Sequence, residues 1–294
     1  MLLSINNLKS IRKWRDRLFM LTENLRGRWA LPRGRRILFS PWPNAEASIR
    51  RGFQHTRHVI TFGEIPSGGG DYDLVVPFSI EALAAAGADE VLRRRNPLPL
   101  PSAAALELCH DKPVLNELLR ANGFARHVPG PASRGVFPYM LKKGRDWSGS
   151  NSFCLLSATD ESSHRTELDS PDYYLQEWIG GDTEYSAHIL VKDGRVRRIL
   201  TVEFIMQTDR AVHGRDPVLL MRRCHSRHTA LFERMLQVVG FEGLCCVDYK
   251  VRGRIPYVLE INPRFGFSLG PFFSTFLRSL DWERAHQHRP GESW

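Results

Sequence analysis

The sequence predicts a small α/β unit followed by an α+β body, and three observations carry that expectation. Between residues 36 and 100, short apolar runs bounded by Pro, Gly or Asp alternate with helical sequence, as in a parallel sheet. Beyond Pro131 the apolar period changes to two, and two pairs of runs are joined by short turns, as in antiparallel hairpins. At 294 residues, 42% hydrophobic and 25% charged, the chain has the size of about two or three domains and a composition that excludes wholesale disorder.

Residues 1–35 read as a basic arm. Ile5, Leu8, Ile11, Trp14, Leu18, Leu21 and Leu25 recur every three or four residues, predicting an amphipathic helix that stops near Gly27. Residues 1–36 hold ten Lys and Arg against only Asp16 and Glu23, so +8 of the net +9 lies there. Two readings stay open. The helix packs on its own body or on a second copy, as a homodimer; or residues 4–26 lie on an anionic membrane surface. The near-neutral remainder offers no basic patch, so no nucleic-acid partner is expected.

No apolar stretch approaches the roughly 18–20 residues that span a bilayer, and the N-terminus lacks a secretory pattern. The five cysteines are irregularly spaced without a CxxC, against a disulfide framework or a four-thiolate zinc site. A cytoplasmic location is expected, with peripheral contact at the inner membrane surface as the variant. Cys245 and Cys246 read as core.

Residues 36–100 should form the parallel sheet, with strands at 37–40, 59–62 and 74–78 and a helix over 79–92. The prolines of 96–102 make a stiff connector, after which Ser102 caps a helix reaching Cys109. Asp111 caps the next, which presents Val114, Leu115, Leu118 and Leu119 on one side and stops at Gly123. Strands follow at 139–142, 153–156 and 174–179, with 158–172 as a mobile loop. Residues 185–191 and 196–204 form a hairpin about Asp193-Gly194, residues 227–239 a helix, and residues 244–251 and 255–261 a second hairpin.

Four segments hold polar groups of the kind a nucleotide triphosphate requires. Lys112 stands at the opening turn of a helix, and Lys142 ends a strand that runs into a loop containing Ser148, Gly149 and Ser150. Small residues let backbone N–H groups close on phosphate oxygens, while a lysine supplies a point charge. In the third segment Glu177 precedes Trp178, Ile179 and two glycines, an edge that can offer backbone groups to a purine, and Glu184 can accept ribose hydroxyls. In the fourth, Asp248 faces Glu260 and Asn262 across a hairpin, an oxygen set suited to Mg²⁺, and Arg264 follows as a forked cation. His225 and His228 read as surface groups.

In this order, over about residues 100–270, the segments resemble the ATP-grasp superfamily, which includes D-alanine–D-alanine ligase, biotin carboxylase and the carbamoyl-phosphate synthetase halves. The resemblance rests on the DK opening a helix, an FP-strand-K before a Gly/Ser loop, QEWIGGDTEYS, and D…LEINPR. It implies a pre-ATP-grasp α/β domain over 36–100 and a two-lobed ATP-grasp fold, divided into 101–180 and 181–294. It also implies ATP and two Mg²⁺ ions, with Mn²⁺ as a substitute. Lys112 and Lys142 then match the phosphate lysines; Glu177, Trp178 and Ile179 the adenine hinge; Glu184 the ribose carboxylate. Asp248, Glu260 and Asn262 match the metal ligands, and Arg264 the arginine near the transferred phosphoryl group, which with Lys142 forms the catalytic pair. Lys143 departs from the family's usual proline, and the chain ends soon after the NPR segment, so an open acceptor pocket, or one completed by another subunit, is expected.

The expected function is an ATP-dependent ligase joining a small-molecule carboxylate to an amine through an acyl phosphate. Phosphoryl transfer to a small molecule without ligation is the alternative, as is a non-catalytic nucleotide-binding protein docked through its basic helix.

Overall fold

A computed structural model describes residues 5–31, 33–146 and 150–283. It opens with helix α1 (Ile5–Ala30), which runs three residues past the stop expected at Gly27. Strand β1 (Arg36–Phe39), helix α2 (Pro43–Phe53), β2 (Val59–Phe62) and β3 (Leu74–Val76) follow. The three strands form a parallel sheet of order β2-β1-β3, as the alternating pattern requires. The helix expected over 79–92 is two, α3 (Ile80–Ala88) and α4 (Glu90–Arg95). Asp89 breaks it, because its carboxylate caps Leu92 N–H at 3.0 Å and also accepts from Gly68 N–H at 2.6 Å.

Helices α5 (Ala103–His110) and α6 (Lys112–Leu119) carry the caps expected of Ser102 and Asp111. Leu115 and Leu119 are buried as read, but Val114 lies exposed. An antiparallel three-stranded sheet comes next: β4 (Tyr139–Lys143), β5 (Ser152–Leu155) and β6 (Tyr173–Glu177), in the order β5-β4-β6. The stretch read as a mobile loop is instead two short helices, α7 (Ala158–Ser163) and α8 (Arg165–Asp169). Ser157 caps the first, accepting from Asp160 N–H.

The large sheet is antiparallel, of order β11-β10-β7-β8-β9: β7 (Thr183–Lys192), β8 (Arg195–Met206), β9 (Val218–Cys224), β10 (Gly243–Arg252) and β11 (Ile255–Asn262), with α9 (Thr229–Val239) before β10. The β7–β8 turn places Asp193 and Gly194 at φ 55° and 65°, the geometry that Asp-Gly favours in a two-residue hairpin. Strand β9 was not foreseen: it is a largely exposed edge strand, an apolar run from Val218 to Met221 followed by Arg222 and Arg223, without the alternation that marks a half-buried strand.

Strand alternation gives the large sheet two faces. Ala187, Ile189, Cys245 and Val247 meet α5, α6 and α9 in one core. The other face, with Leu190, Leu200, Val202 and Phe204, joins Phe39, Phe53 and Phe273 in a second core, which ties the parallel sheet to the large sheet through residues 267–279. Gly52 of α2 allows that contact, since a Cβ there would meet Pro271 O at 2.7 Å.

Candidate active site

The β10–β11 hairpin sets Asp248 directly opposite Glu260, and Cys246 opposite Asn262. Residues opposite one another, or two apart on one strand, share a face, so the three oxygen-bearing side chains converge. Asn262 Nδ2 donates to Asp248 Oδ2 and to Glu260 Oε1, both at 3.0 Å. Ser186, opposite Asp248 on β7, donates to Asp248 Oδ1. Lys112 Nζ lies 3.0 Å from Glu260 Oε2.

Burial and the charges of Glu260 and Glu184 push the Asp248 carboxyl up to about 7. Burial pushes Glu260 the same way, but Lys112 and Lys142 outweigh it and hold that carboxyl below its ordinary value. Two buried carboxylates are thus only partly neutralised by the protein's own cations. Among the described residues no three His, Cys, Asp or Glu side chains form a metal cluster. The set is two carboxylates and an amide, which fits a hard divalent cation that takes further oxygens from water and phosphate.

Lys112 and Lys142 are both buried, so neither is an ordinary solvated lysine. Asp111 caps α6 and so holds Lys112 at its first turn, from where Nζ also reaches Asp146 O at 3.3 Å. Lys142 Nζ donates to Gln176 Oε1 and to Leu259 O, both at 3.3 Å, bridging the small and large sheets. Burial lowers its pKa, although Glu260, Glu184 and Asp248 pull upward. Of the loop after β4, Ser150 is exposed, while Ser148 and Gly149 lie outside the described residues.

Between the two sheets runs a narrow cleft of about 60 Å³, lined by Met140, Trp178, Ile179, Leu259 and the carboxyl-bearing Glu177 and Glu184. Glu177 Oε2 accepts from Gly130 N–H at 3.0 Å, and Oε1 from Arg252 at 2.6 Å, so its side chain is tied to the scaffold and its backbone is what it offers a base. Gln176 was missed. It shares the face of Met140, opposite it on β4, and its buried Nε2 has no hydrogen-bond partner. The period-two pattern was the available signal, since Tyr173 and Leu175 pack in the small sheet's core and turn Gln176 the other way. Glu184 lies 3.5 Å from His213 Nδ1, on the loop after β8. Burial disfavours the His213 charge, but Glu184 outweighs it and raises its pKa. No motif marks His213, because it arrives from an irregular loop.

Past the carboxylates the cleft opens into a cavity of about 760 Å³. Arg264 stands in its wall with the guanidinium 4.6 Å from the Trp42 ring, and Trp42 also meets Phe78 at 4.9 Å and Phe267 at 4.4 Å. Nothing in the sequence assigned a place to Trp42. His188 holds the wall: Gly266 N–H donates to its Nδ1 at 3.3 Å, so its Nε2–H donates to Ser268 Oγ at 2.8 Å. Burial lowers the His188 pKa to about 3, keeping the ring neutral and leaving the Ser268 hydroxyl hydrogen free to donate.

This arrangement can be compared with known proteins. The family model for an ATP-grasp domain matches residues 109–268. A search of curated protein sequences finds no significant match. Among solved structures, the chain resembles D-alanine–D-alanine ligase from Bacillus anthracis in complex with ATP, with 13% identity, a TM-score of 0.54, and 87% of this chain and 98% of that one covered. It also resembles an L-amino acid ligase from Bacillus licheniformis, at 14% identity and TM-score 0.55, covering 82% and 70%. A third is N5-carboxyaminoimidazole synthase from Aspergillus clavatus with ADP, at 14% identity and TM-score 0.52, covering 80% and 71%. Since the matched segment, residues 109–268 of 294, is more than half of the sequence and contains both lysines, the hinge and the acidic hairpin, the chain belongs to the ATP-grasp family.

Proposed function

We propose that the protein is an ATP-dependent carboxylate–amine ligase. The observation that carries this reading is the facing pair Asp248 and Glu260, set beside two buried lysines where a narrow cleft meets a larger cavity. The similar ligases named above, which act on D-alanine and L-amino acids, support it.

ATP lies with its base against Trp178, Ile179 and Gln176, its ribose at Glu184 and its phosphates between Lys112 and Lys142. Asp248, Glu260 and Asn262 would hold Mg²⁺, which would draw charge from the triphosphate. The acceptor carboxylate enters the cavity at Arg264. One of its oxygens forms a bond to the γ-phosphorus as the bond to the β,γ-bridging oxygen breaks, giving an acyl phosphate and ADP. An amine then bonds to the acyl carbon, phosphate leaves with the C–O electron pair, and the amine loses a proton. A carboxylate alone is a poor electrophile; phosphorylation supplies the leaving group. The protein's part is alignment and neutralisation of charge. The aromatic wall of Trp42, Phe78 and Phe267 favours an acceptor with an apolar body.

The test is ADP release from ATP with a panel of amino acids and small carboxylates, with mass spectrometry of the product. Amide formation, with ¹⁸O passing from the carboxylate to phosphate, is the expected outcome. ADP release with a phosphorylated acceptor and no amide establishes the phosphotransferase alternative; nucleotide binding without turnover establishes the non-catalytic one. Glu260→Gln is expected to lower turnover about 10²–10³-fold while leaving the thermal transition in place.

A further inference from the structure

Helix α1 lies on the body by the face opposite the one its apolar periodicity marks. Phe19 packs on Phe272 at 6.2 Å and Met20 joins the same core, while Asp16 and Glu23 turn inward to Arg223, Arg198 and Arg278. The stripe of Trp14, Leu18, Leu21, Leu25 and Trp29 therefore faces solvent, with 73, 60, 57, 50 and 89% of each residue exposed. These positions recur at three- and four-residue spacing along about 22 Å of helix axis. An aligned row of large apolar side chains is not the scatter of a normal surface.

Charge selects the occupant. Arg15 and Arg17 are exposed, whereas both carboxylates of residues 14–30 are already paired, Asp16 with Arg223 and Glu23 with Arg198 and Arg278 of the body and with Arg26 of the helix itself. A second copy docked on this face would set the same cations against one another with no carboxylate to meet them. Anionic lipid supplies the missing charge, and tryptophans at both ends of a leucine row suit the headgroup boundary. No helix among the described residues is long and apolar enough to cross a membrane, so the contact is one of lying on the surface.

We infer that α1 docks the protein on an anionic lipid surface through Trp14, Leu18, Leu21, Leu25 and Trp29. This inference is independent of the ligase reading. The test is co-sedimentation of the full chain with phosphatidylcholine vesicles, with and without a phosphatidylglycerol fraction, at low and high salt. Expected are binding to the anionic vesicles only, weakening with salt, and a blue shift of tryptophan emission with quenching by brominated acyl chains. Leu18→Asp/Leu21→Asp, on exposed positions, is expected to lower the partition coefficient more than about tenfold, as is Arg15→Glu/Arg17→Glu to a lesser degree. Val91→Asp, an exposed apolar position elsewhere, leaves it unchanged. Equal binding to both vesicle types, no binding to either, or full retention by Leu18→Asp/Leu21→Asp overturns the inference. So does self-association in the absence of lipid that Leu18→Asp/Leu21→Asp abolishes, which assigns the face to a second copy.

Discussion

Gln176 shows how much a single side chain's direction decides. Its amide oxygen is held by Lys142, while its amide nitrogen is buried in the nucleotide cleft without a partner. A buried donor left unmade costs about 1–3 kcal/mol, a cost that a ligand acceptor removes. Gln176→Leu is therefore expected to raise KM for ATP about tenfold, because a tenfold change corresponds to about 1.4 kcal/mol. Steady-state kinetics at saturating acceptor, together with the thermal transition without nucleotide, separates this from misfolding: the transition should move little. The neighbouring Glu177 is expected to behave otherwise. Its carboxylate ties Gly130 to Arg252, so its replacement loosens the hinge itself.

At the scale of elements, α1 is held by a polar anchor within an apolar contact. Burial pushes Glu23 up, but Arg198, Arg278 and Arg26 outweigh it and hold the carboxyl below its ordinary value of 4.5. Because the folded pKa is the lower one, the charged form stabilises the docked helix. That contribution is complete above 4.5 and is lost as pH falls through the folded value. Amide protection in α1 should thus fall before that of the large sheet on acidification, as hydrogen exchange would show. Glu23→Ala leaves Arg198 and Arg278 facing a partnerless site and should cost about 2 kcal/mol at neutral pH, read from denaturant unfolding. In that variant the acid-induced step in α1 protection, which lies below pH 4.5, should vanish. Unchanged stability would show that the aromatic contact of Phe19 with Phe272 holds the helix without help.

Across the whole molecule, the parallel sheet serves the cleft through one loop. Trp42, on the loop between β1 and α2, packs against Arg264 and Phe267 in one wall of the cavity, so a loop of the first sheet completes a site built on the last. Trp42→Ala is expected to raise KM for the acceptor about tenfold with KM for ATP unchanged, since the proposed base and phosphate positions lie at the other end of the cleft. Equal changes in both constants would mean that Trp42 supports the fold as a whole and not the acceptor. The core shared by Phe39, Phe273 and Phe204 gives the loop its rigidity, because it ties the two sheets into one packed body.

What could be read from the sequence was local. Helix caps at Ser102 and Asp111, the Asp-Gly turn and the period-two strands each depend on neighbours within a few residues, and each appears in the structure. The facing of Asp248 and Glu260 followed too, because a hairpin fixes its own register. The length of the helix over 79–92 did not, since Asp89 breaks it with a bond to Gly68, 21 residues away. Nor did the outward face of α1: periodicity finds an apolar stripe, but Glu23 meets Arg198 and Arg278, 175 and 255 residues away, and those pairs turn the stripe to solvent. His213 and Trp42 enter the cleft from irregular loops for the same reason. The sequence by itself determined most of the elements and the family. Only the tertiary structure decided which faces meet, because contacts between distant segments leave no period in the chain.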